Sequence, residues 1–236
     1  GMERFVEEAN KLVDYYISHW RKASERLAVW LDYDNAYETR RENYIEHVWW
    51  LIKQAHEKGD LIESFRVVPF CPNCQTPLSS HEVAQGYKEV EDPSIYVKFK
   101  IKGSENLYVV IWTTTPWTLV ANEAVAVHPY EKYAKVKVGD EVWILASKLM
   151  ALVLGALDIR DYEVLEEVEG SALVGLSYEH PLIEKVPAHH KHKPPAHTII
   201  AAEFVTMEEG TGCVHIAPAH GPEDFEVGKK VGLPIF

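Results

Sequence analysis

The 236-residue sequence is poor in cysteine, in basic residues and in long apolar runs. Its three cysteines are too few and too unevenly spaced for the disulfide framework of a small secreted protein. No run approaches the roughly eighteen apolar residues that a membrane-spanning helix needs, and the N-terminus lacks the apolar stretch of a signal peptide. We therefore expect a cytoplasmic protein with no membrane partner.

The shortage of basic residues restricts the ways in which the protein can bind nucleic acid. Lys and Arg total 24 against 36 Asp and Glu, which gives a formal net charge of −12. Phosphate binding through long-range charge requires clustered Lys and Arg, and this composition argues against such a surface. A domain tethered to a larger RNA-binding enzyme can still act on a 3′ end that is delivered to it.

The first quarter of the chain has the periodicity of helices. Apolar residues recur at three- and four-residue steps from about Arg4 to Leu27, which predicts an amphipathic helix. Thr39 and Glu42 have capping-box spacing and predict the start of a second helix, which Gly59 ends. Residues 30–39, rich in Asp and Asn, favour a turn between the two helices.

The remainder of the chain alternates short β-rich runs with turn residues. Residues 69–93 contain prolines and two cysteines and are typical of a connector. From Tyr96 onward the β-rich runs are YVKFKI, LYVVIWT, EAVAV, YAKVKV, EVWIL, YEVLEEV, HTIIAA and GCVHIA, with SKLMALVLG as a short helix. We predict an α+β fold: a helical segment over residues 1–68, the connector, and a mainly antiparallel, barrel-like domain over residues 94–236.

One segment with candidate chemistry is WTTTPWTLVAN, residues 112–122. Pro116 cannot donate to a strand ladder, so the strand must end before it and the chain must turn. The hydroxyls of Thr113, Thr114 and Thr115 would then meet at an exposed strand end. The alternative is that these threonines are present only because threonine favours β structure.

A second such segment is GTGCVHIAPAHGPEDF, residues 210–225. Its pattern predicts a short strand ending near His215 and a helix with Pro222 in its first position, which puts Asp224 in the first turn. The alternatives are a hydrogen-bonded core histidine and a carboxylate that only complements the helix dipole.

Taken together, the two segments resemble the editing insertion of class I aminoacyl-tRNA synthetases, and that of the isoleucine enzymes in particular. The valine enzymes have a motif similar to WTTRPET, so Thr115, Trp117 and Thr118 favour isoleucine. WLDYDNAYETRRENYIEHVWW and CPNCQTPLSSHEV resemble the stretch leading into that insertion. The HIGH and KMSKS motifs of the full enzymes' ATP site are lacking, so we expect no amino-acid activation by this chain alone.

The resemblance implies deacylation of valine attached to tRNA(Ile), and it implies roles for seven residues. Asp224 would pair with the α-ammonium of the substrate. Asn122 and the three threonines would line the site, hold the attacking water and contact the terminal adenosine. Trp117 would shape the pocket wall, and His215 would complete it and orient the ester. The expected partners are the tRNA(Ile) 3′ end carrying valine and the rest of a parent synthetase.

The chemistry explains why such a site is needed. Valine lacks one methylene of isoleucine, worth about 0.8 kcal/mol of burial. A hydrophobic pocket gains only about 1–3 kcal/mol of discrimination from that difference, a limit for which the isoleucine enzyme is itself the standard example. A second, smaller pocket that excludes isoleucine and hydrolyses the valyl ester overcomes the limit. No GxSxG elbow or Ser-His-Asp arrangement is visible, so we expect attack by a positioned water and no cofactor.

Metal sites are the main alternatives. Cys71 and Cys74 have the spacing of half a zinc site, with His81 as a third candidate ligand and no fourth. A non-catalytic zinc knuckle or RNA-docking module would follow from it. A metal-dependent hydrolase using His215, His220 and Asp224 fits no HExxH spacing. The stretch 185–197 contains His189, His190, His192 and His197, which could in principle bind a metal, but its bias towards His and Pro favours a solvated, exposed loop.

Overall fold

A computed structural model describes every residue from Gly1 to Phe236. The chain forms two compact units, Gly1–Ser64 and Phe65–Phe236. None of its helices combines the length and the hydropathy that crossing a bilayer would require.

The first unit contains two helices, α1 (Met2–Arg26) and α2 (Glu42–Glu57). Both predicted helices are confirmed, as is the turn between them, and Gly59 follows α2 with a φ of +78°. Neither helix buries any residue. The apolar face of α1 is therefore exposed, including Phe5, Leu12 and Trp20.

The capping box predicted at Thr39 is wrong. The N-cap of α2 is Arg41, in extended conformation, and Glu42 is the first helical residue rather than the third. Glu38 accepts hydrogen bonds from Nε of both Arg40 and Arg41, each at 2.9 Å. These ion pairs keep Arg40 and Arg41 out of the helix. A capping box starting at Thr39 would have made both of these residues helical.

The second unit contains ten strands and three α-helices. The strands are β1 (Phe70–Cys71), β2 (Thr76–Pro77), β3 (Ile95–Lys100), β4 (Leu107–Thr113), β5 (Ala124–Val127), β6 (Lys132–Val138), β7 (Glu141–Ala146), β8 (Glu163–Glu169), β9 (Thr198–Ala201) and β10 (Cys213–Ile216). The helices are α3 (Ser80–Gln85), α4 (Met150–Ala156) and α5 (Pro222–Val231), and short 3₁₀ turns cover Pro116–Ala121, Gly170–Leu173 and Pro187–Lys191.

The strands form three separate sheets. β1 and β2 make a small hairpin, five strands pair in the order β3-β4-β7-β6-β8, and three pair in the order β10-β5-β9. The α+β class is confirmed, but the barrel is not, because no sheet closes on itself. The sheets are also mixed, since β4 pairs parallel with β7 and β5 pairs parallel with β9.

The main core lies where β4 and β10 bring the two larger sheets together. Phe99, Val109, Ile111, Val125 and Ile144 are fully buried in one cluster that spans both sheets. Runs such as AVAV in β5 are buried at every position, which explains why this strand shows no alternation of polar and apolar residues. The packed core fixes the ends of β4, β5 and β10, which carry the candidate site residues.

The exposed loop predicted at residues 185–197 is wrong in part. His189 and His197 are buried, His192 is half-buried, and only His190 among these four is exposed. The reason is a buried carboxylate: Glu123 lies beside His192 and His189, and the segment folds inward to cover it.

Candidate functional site

The threonine-rich segment lies at the end of β4, as predicted. The strand ends at Thr113, and Pro116 opens the 3₁₀ turn that runs to Ala121. The Thr115 N–H donates to Thr113 Oγ1 at 3.1 Å, and the two hydroxyl oxygens are 3.3 Å apart. Thr113 is buried, whereas Thr114 and Thr115 are exposed.

The second segment places β10 alongside β5, with His215 opposite Val125. The turn before β10 requires glycine at position 212. Gly212 has a φ of +71°, and a side chain there would collide with Ala146. This tight turn allows β10 to enter the core.

His215 is the centre of a buried hydrogen-bond network that joins the two segments. Its Nε2 lies 2.8 Å from Thr118 Oγ1, and its Nδ1 lies 3.1 Å from Asn122 Nδ2. Thr118 Oγ1 in turn donates to the Thr115 carbonyl at 2.8 Å. The network thereby fixes Thr118 and Asn122 in position relative to His215, which lies 97 and 93 residues further along the chain.

The proton positions in this network follow from the partners of Asn122. Its Oδ1 accepts from the Tyr178 hydroxyl at 2.5 Å, and its Nδ2 donates to the Ala124 carbonyl at 2.9 Å. A carbonyl oxygen can only accept, so the orientation of the amide is fixed. His215 Nδ1 must then accept from Nδ2, and His215 carries its proton on Nε2, which donates to Thr118.

The surroundings keep His215 neutral. Burial lowers the pKa of His215 to about 4, and the charge of the neighbouring His220 acts in the same direction. A neutral imidazole with one donor and one acceptor, both satisfied, has no free lone pair for removing a proton. The structure therefore presents His215 as a positioning group.

Asp224 lies in the first turn of α5, as predicted. Its Oδ2 accepts from the Ala217 N–H at 2.9 Å, two residues beyond His215 in the chain. Oδ1 makes no hydrogen bond to the protein. Burial raises the pKa of the Asp224 carboxyl above its usual range, and the charge of Glu223 adds to this effect. A partly desolvated carboxylate with one free oxygen is a suitable acceptor for an ammonium group.

Three of the candidate residues, Trp117, Thr114 and Asp224, lie outside the network. Trp117 is 60 % exposed, and the side chain of Thr114 makes no hydrogen bond within the protein. A cleft of about 230 Å³ runs past Thr113 and Thr114 and is bounded on its other side by the turn at 209–214. His215 and Asp224 do not line this cleft.

Tyr178 and Thr118 were not assigned roles from the sequence. Thr118 was noted only as a marker of the isoleucine-type motif, although its hydroxyl contacts His215 directly. Tyr178 is fully buried and follows β8 by several residues, in a stretch without a recognisable motif. A buried tyrosine needs a hydrogen-bond partner, but no sequence signal indicates which one.

Two of the metal ligand sets considered from the sequence, the cysteine pair and the set of His215, His220 and Asp224, are not gathered by the fold, whereas three histidines of the 185–197 stretch are. Cys71 and Cys74 lie on the β1–β2 hairpin, where the Cys74 N–H donates to Cys71 Sγ at 3.4 Å, but no third ligand joins them. His215, His220 and Asp224 do not form a ligand cluster either. The one such cluster combines Glu123 with His189, His192 and His197.

The comparison with protein families defines the class of protein. The family model for class I tRNA synthetases (I, L, M and V) matches residues 1–210. The chain belongs to this family.

Within that family, the full chain is similar to isoleucine–tRNA ligases. It is 52 % identical over 240 residues to the enzyme of Pyrobaculum aerophilum and 48 % identical over 246 residues to that of Methanocaldococcus jannaschii. All of this chain is matched in both cases. It spans about a quarter of the length of these relatives, 24 % in each.

Two solved structures are similar in part. "The crystal structure of GlLeuRS-CP1" has a TM-score of 0.48 and 18 % identity, over 61 % of this chain and 66 % of that chain. The cytosolic leucyl-tRNA synthetase editing domain of P. knowlesi has a TM-score of 0.45 and 15 % identity, over 60 % of this chain and 66 % of that chain.

Proposed function

We propose that this chain is the editing portion of an isoleucyl-tRNA synthetase and that it hydrolyses valine from valyl-tRNA(Ile). The observation that carries the proposal is the contact of Thr118 with His215 at 2.8 Å. It joins the two sequence segments that resemble the editing motifs. Family membership and the isoleucine–tRNA ligase relatives support the same reading.

In this mechanism His215 orients the ester through the Thr118 and Asn122 side chains that it holds, and it does not act as a base. Its Nε2 proton is donated to Thr118 Oγ1, and its Nδ1 lone pair accepts a hydrogen bond from Asn122 Nδ2. A water held by the hydroxyls of Thr113, Thr114 and Thr115 attacks the ester carbonyl. The acceleration then comes mainly from positioning and from donors arranged in advance. The bond from the carbonyl carbon to the ribose oxygen then breaks, and the free ribose hydroxyl of the substrate relays the proton of the water to the departing oxygen.

Asp224 anchors the substrate in this proposal. Its free Oδ1 accepts from the α-ammonium, while the Ala217 N–H holds Oδ2 in place. A charge-assisted hydrogen bond of this kind is worth about 1.5–3 kcal/mol. Since valine and isoleucine carry the same ammonium, Asp224 provides affinity for both amino acids. Selectivity must come from the pocket wall, for which Trp117 and His215 are the candidates.

The rest of the parent synthetase is the expected partner of the helical unit. α1 and α2 expose large apolar side chains, among them Phe5, Trp20, Trp49 and Trp50. Exposed apolar faces of this extent are typical of surfaces that pack against another protein part. The tRNA 3′ end would be delivered by that parent, which is consistent with the acidic charge of this chain. No cofactor takes part in the proposed reaction.

The test is the hydrolysis of valyl-tRNA(Ile) and isoleucyl-tRNA(Ile), measured in parallel with this chain, Asp224→Ala and His220→Gln. We expect selective release of valine by the unchanged chain and by His220→Gln, because His220 is exposed and outside the network. Asp224→Ala should lose most of the activity. Circular dichroism of each variant verifies folding.

Two results would overturn the proposal. Loss of activity in His220→Gln, with recovery on adding a divalent metal, would indicate a metal-dependent hydrolase using His215, His220 and Asp224. No deacylation of either substrate by the folded chain would indicate a docking module instead of an editing enzyme.

A further inference from the structure

Four potential metal ligands converge in the second unit, outside the His215 network. They are Glu123, His189, His192 and His197, and their ligand atoms all lie within 4.8 Å of one another. Glu123, His189 and His197 are buried, and His192 is half-buried. Such a concentration of imidazole and carboxylate in a protein interior is costly unless the groups are paired or bind a cation.

Three of the ligand-atom separations are close to those of a tetrahedral site. Glu123 Oε1 lies 2.9 Å from His192 Nδ1 and 3.6 Å from His189 Nδ1, and His197 Nε2 lies 3.1 Å from His189 Nδ1. Zinc bonds of about 2.0–2.1 Å in a tetrahedron put neighbouring ligand atoms about 3.3 Å apart. The observed separations lie on both sides of this value.

Glu123 has an unsatisfied oxygen directed into the cluster. Its side chain is completely buried, and Oε1 has no partner with hydrogen-bond geometry despite its short distances to His189 and His192. Oε2 contacts His192 Nδ1 at 3.1 Å. An unpaired buried carboxylate oxygen is rare in native proteins because it loses hydration without compensation.

His189 is oriented as metal-binding histidines usually are. Its Nε2 lies 2.8 Å from the Val120 carbonyl, which can only accept, so the proton of the neutral ring is on Nε2. The Nδ1 lone pair therefore points at Glu123 and His197. Donation of the second ring nitrogen to a backbone carbonyl is the common way in which proteins fix a ligating imidazole.

The backbone also holds the cluster together. The His197 N–H donates to the Glu123 carbonyl at 2.6 Å, and the Glu123 N–H donates to the Ile216 carbonyl at 2.8 Å. These two bonds hold the backbone of Glu123 and His197 side by side.

We propose that Glu123, His189, His192 and His197 form a structural site for a divalent transition metal of the zinc type. Three imidazole nitrogens and one carboxylate oxygen suit zinc and leave no open position for a substrate. The bound ion would stabilise the end of the threonine-rich segment. His189 holds the Val120 carbonyl of that segment, and Glu123 directly follows its last residue, Asn122. The inference does not depend on the proposed editing activity.

The experiment is equilibrium dialysis of the full chain against buffered Zn²⁺, with the bound metal measured by mass spectrometry. The variants are His192→Ala, the neighbouring control His190→Ala and the double variant Cys71→Ser with Cys74→Ser. We expect one zinc per chain in the unchanged protein and in both controls. Affinity should be weaker by more than about 100-fold in His192→Ala, because removing a ligand should cost more than the roughly 10–100-fold lost with a ligand's outer partner. Glu123→Gln, which keeps the side-chain volume, replaces His192→Ala if circular dichroism shows that the latter is unfolded.

Cobalt substitution gives an independent readout of the ligands. Co²⁺ in the cluster should give the visible absorption of a tetrahedral site without a thiolate charge-transfer band. Zinc should also slow amide exchange at Asn122 and Glu123 in the unchanged chain, and should not do so in His192→Ala. Zinc retained in His192→Ala and lost in the cysteine double variant would overturn the proposal in favour of the hairpin thiols. The absence of zinc binding to the folded, unchanged chain would overturn it altogether.

Discussion

The Tyr178 hydroxyl donates a 2.5 Å hydrogen bond to Asn122 Oδ1, across 56 residues of sequence. Both side chains are fully buried, so neither has water as an alternative partner. The Ala124 carbonyl fixes which way the Asn122 amide faces, and the amide in turn fixes the tautomer of His215. The Tyr178 bond satisfies the remaining oxygen, so a residue outside both recognisable segments completes the network around His215.

We expect Tyr178→Phe to lower the free energy of unfolding by about 1–3 kcal/mol, because it leaves Asn122 Oδ1 buried without a partner. Valyl-tRNA(Ile) hydrolysis should fall as well, since Asn122 then loses one of the hydrogen bonds that hold its side chain. Urea denaturation and deacylation rates measure the two effects. Tyr130→Phe is the control, because Tyr130 is exposed. Equal stability of the two variants would contradict the network.

Thr118→Val should reduce deacylation, and Thr118→Ser should restore it. Valine keeps the shape of threonine but removes the acceptor of the His215 Nε2 proton, whereas serine keeps the hydroxyl. Measuring kcat and KM for the unchanged chain, Thr118→Val and Thr118→Ser tests this expectation. If serine were as defective as valine, the methyl group and its packing would be the important feature.

Stability should depend on pH through His215. Its pKa is about 4 in the folded chain and about 6.5 in an unfolded one. Between these values the unfolded state binds one more proton, so stability falls as the pH falls, by about 1.4 kcal/mol per unit and about 3 kcal/mol in total. Above pH 6.5 the effect is absent.

The measurement is urea unfolding from pH 4 to pH 8, in the unchanged chain and in His215→Gln. Other groups titrate in both proteins, so the difference between the two curves isolates His215. The unchanged chain should lose more stability on acidification. Parallel curves would mean that His215 has an ordinary pKa.

Asp224→Asn should lower kcat/KM for valyl-tRNA(Ile) roughly 10- to 100-fold, the loss of one charge-assisted hydrogen bond. The amide oxygen of asparagine can still accept from the Ala217 N–H, so folding should be preserved. Glu223→Gln, one residue earlier in the same helical turn and exposed, is the matched control. A similar loss in both variants would point to the general charge of the helix start instead of a specific anchor.

Gly212→Ala should destabilise the second unit by at least about 2 kcal/mol. The residue has a positive φ, which costs a non-glycine residue of order 1–3 kcal/mol, and its new methyl group would also meet Ala146. Gly103→Ala separates the two effects, because Gly103 has a φ of +80° in open space. Thermal unfolding of both variants is the measurement, and equal shifts would mean that the contact with Ala146 is relieved without cost.

Local signals were sufficient to predict several elements from the sequence. Pro116 ends β4 because it cannot donate to the ladder, and Pro222 starts α5 because its missing N–H is not needed there. The helices and most strands follow from periodicity in the same way. The predicted capping box at Thr39 is wrong because the ion pairs of Glu38 take its place before α2.

Long-range pairings were not accessible from the sequence. The parallel pairing of β4 with β7 depends on which strands meet in space, and the antiparallel pattern of neighbouring runs gave no indication of it. The sequence predicts that His189 and His197 are exposed to solvent, because polar, Pro-rich stretches usually form exposed loops. Their burial depends on Glu123, more than 60 residues away, whose desolvation requires neighbours. For the same reason Tyr178 could not be connected to Asn122.

The helices of the first unit bury none of their residues, and this has a consequence for how quickly they open. A helix of 16 residues that buries none of them gains little from tertiary packing and is only marginally stable in water. Amide hydrogens in α2 should therefore exchange much earlier than those of β4 and β5, which lie in the core. A second surface that covers the apolar side of the helices should slow this exchange.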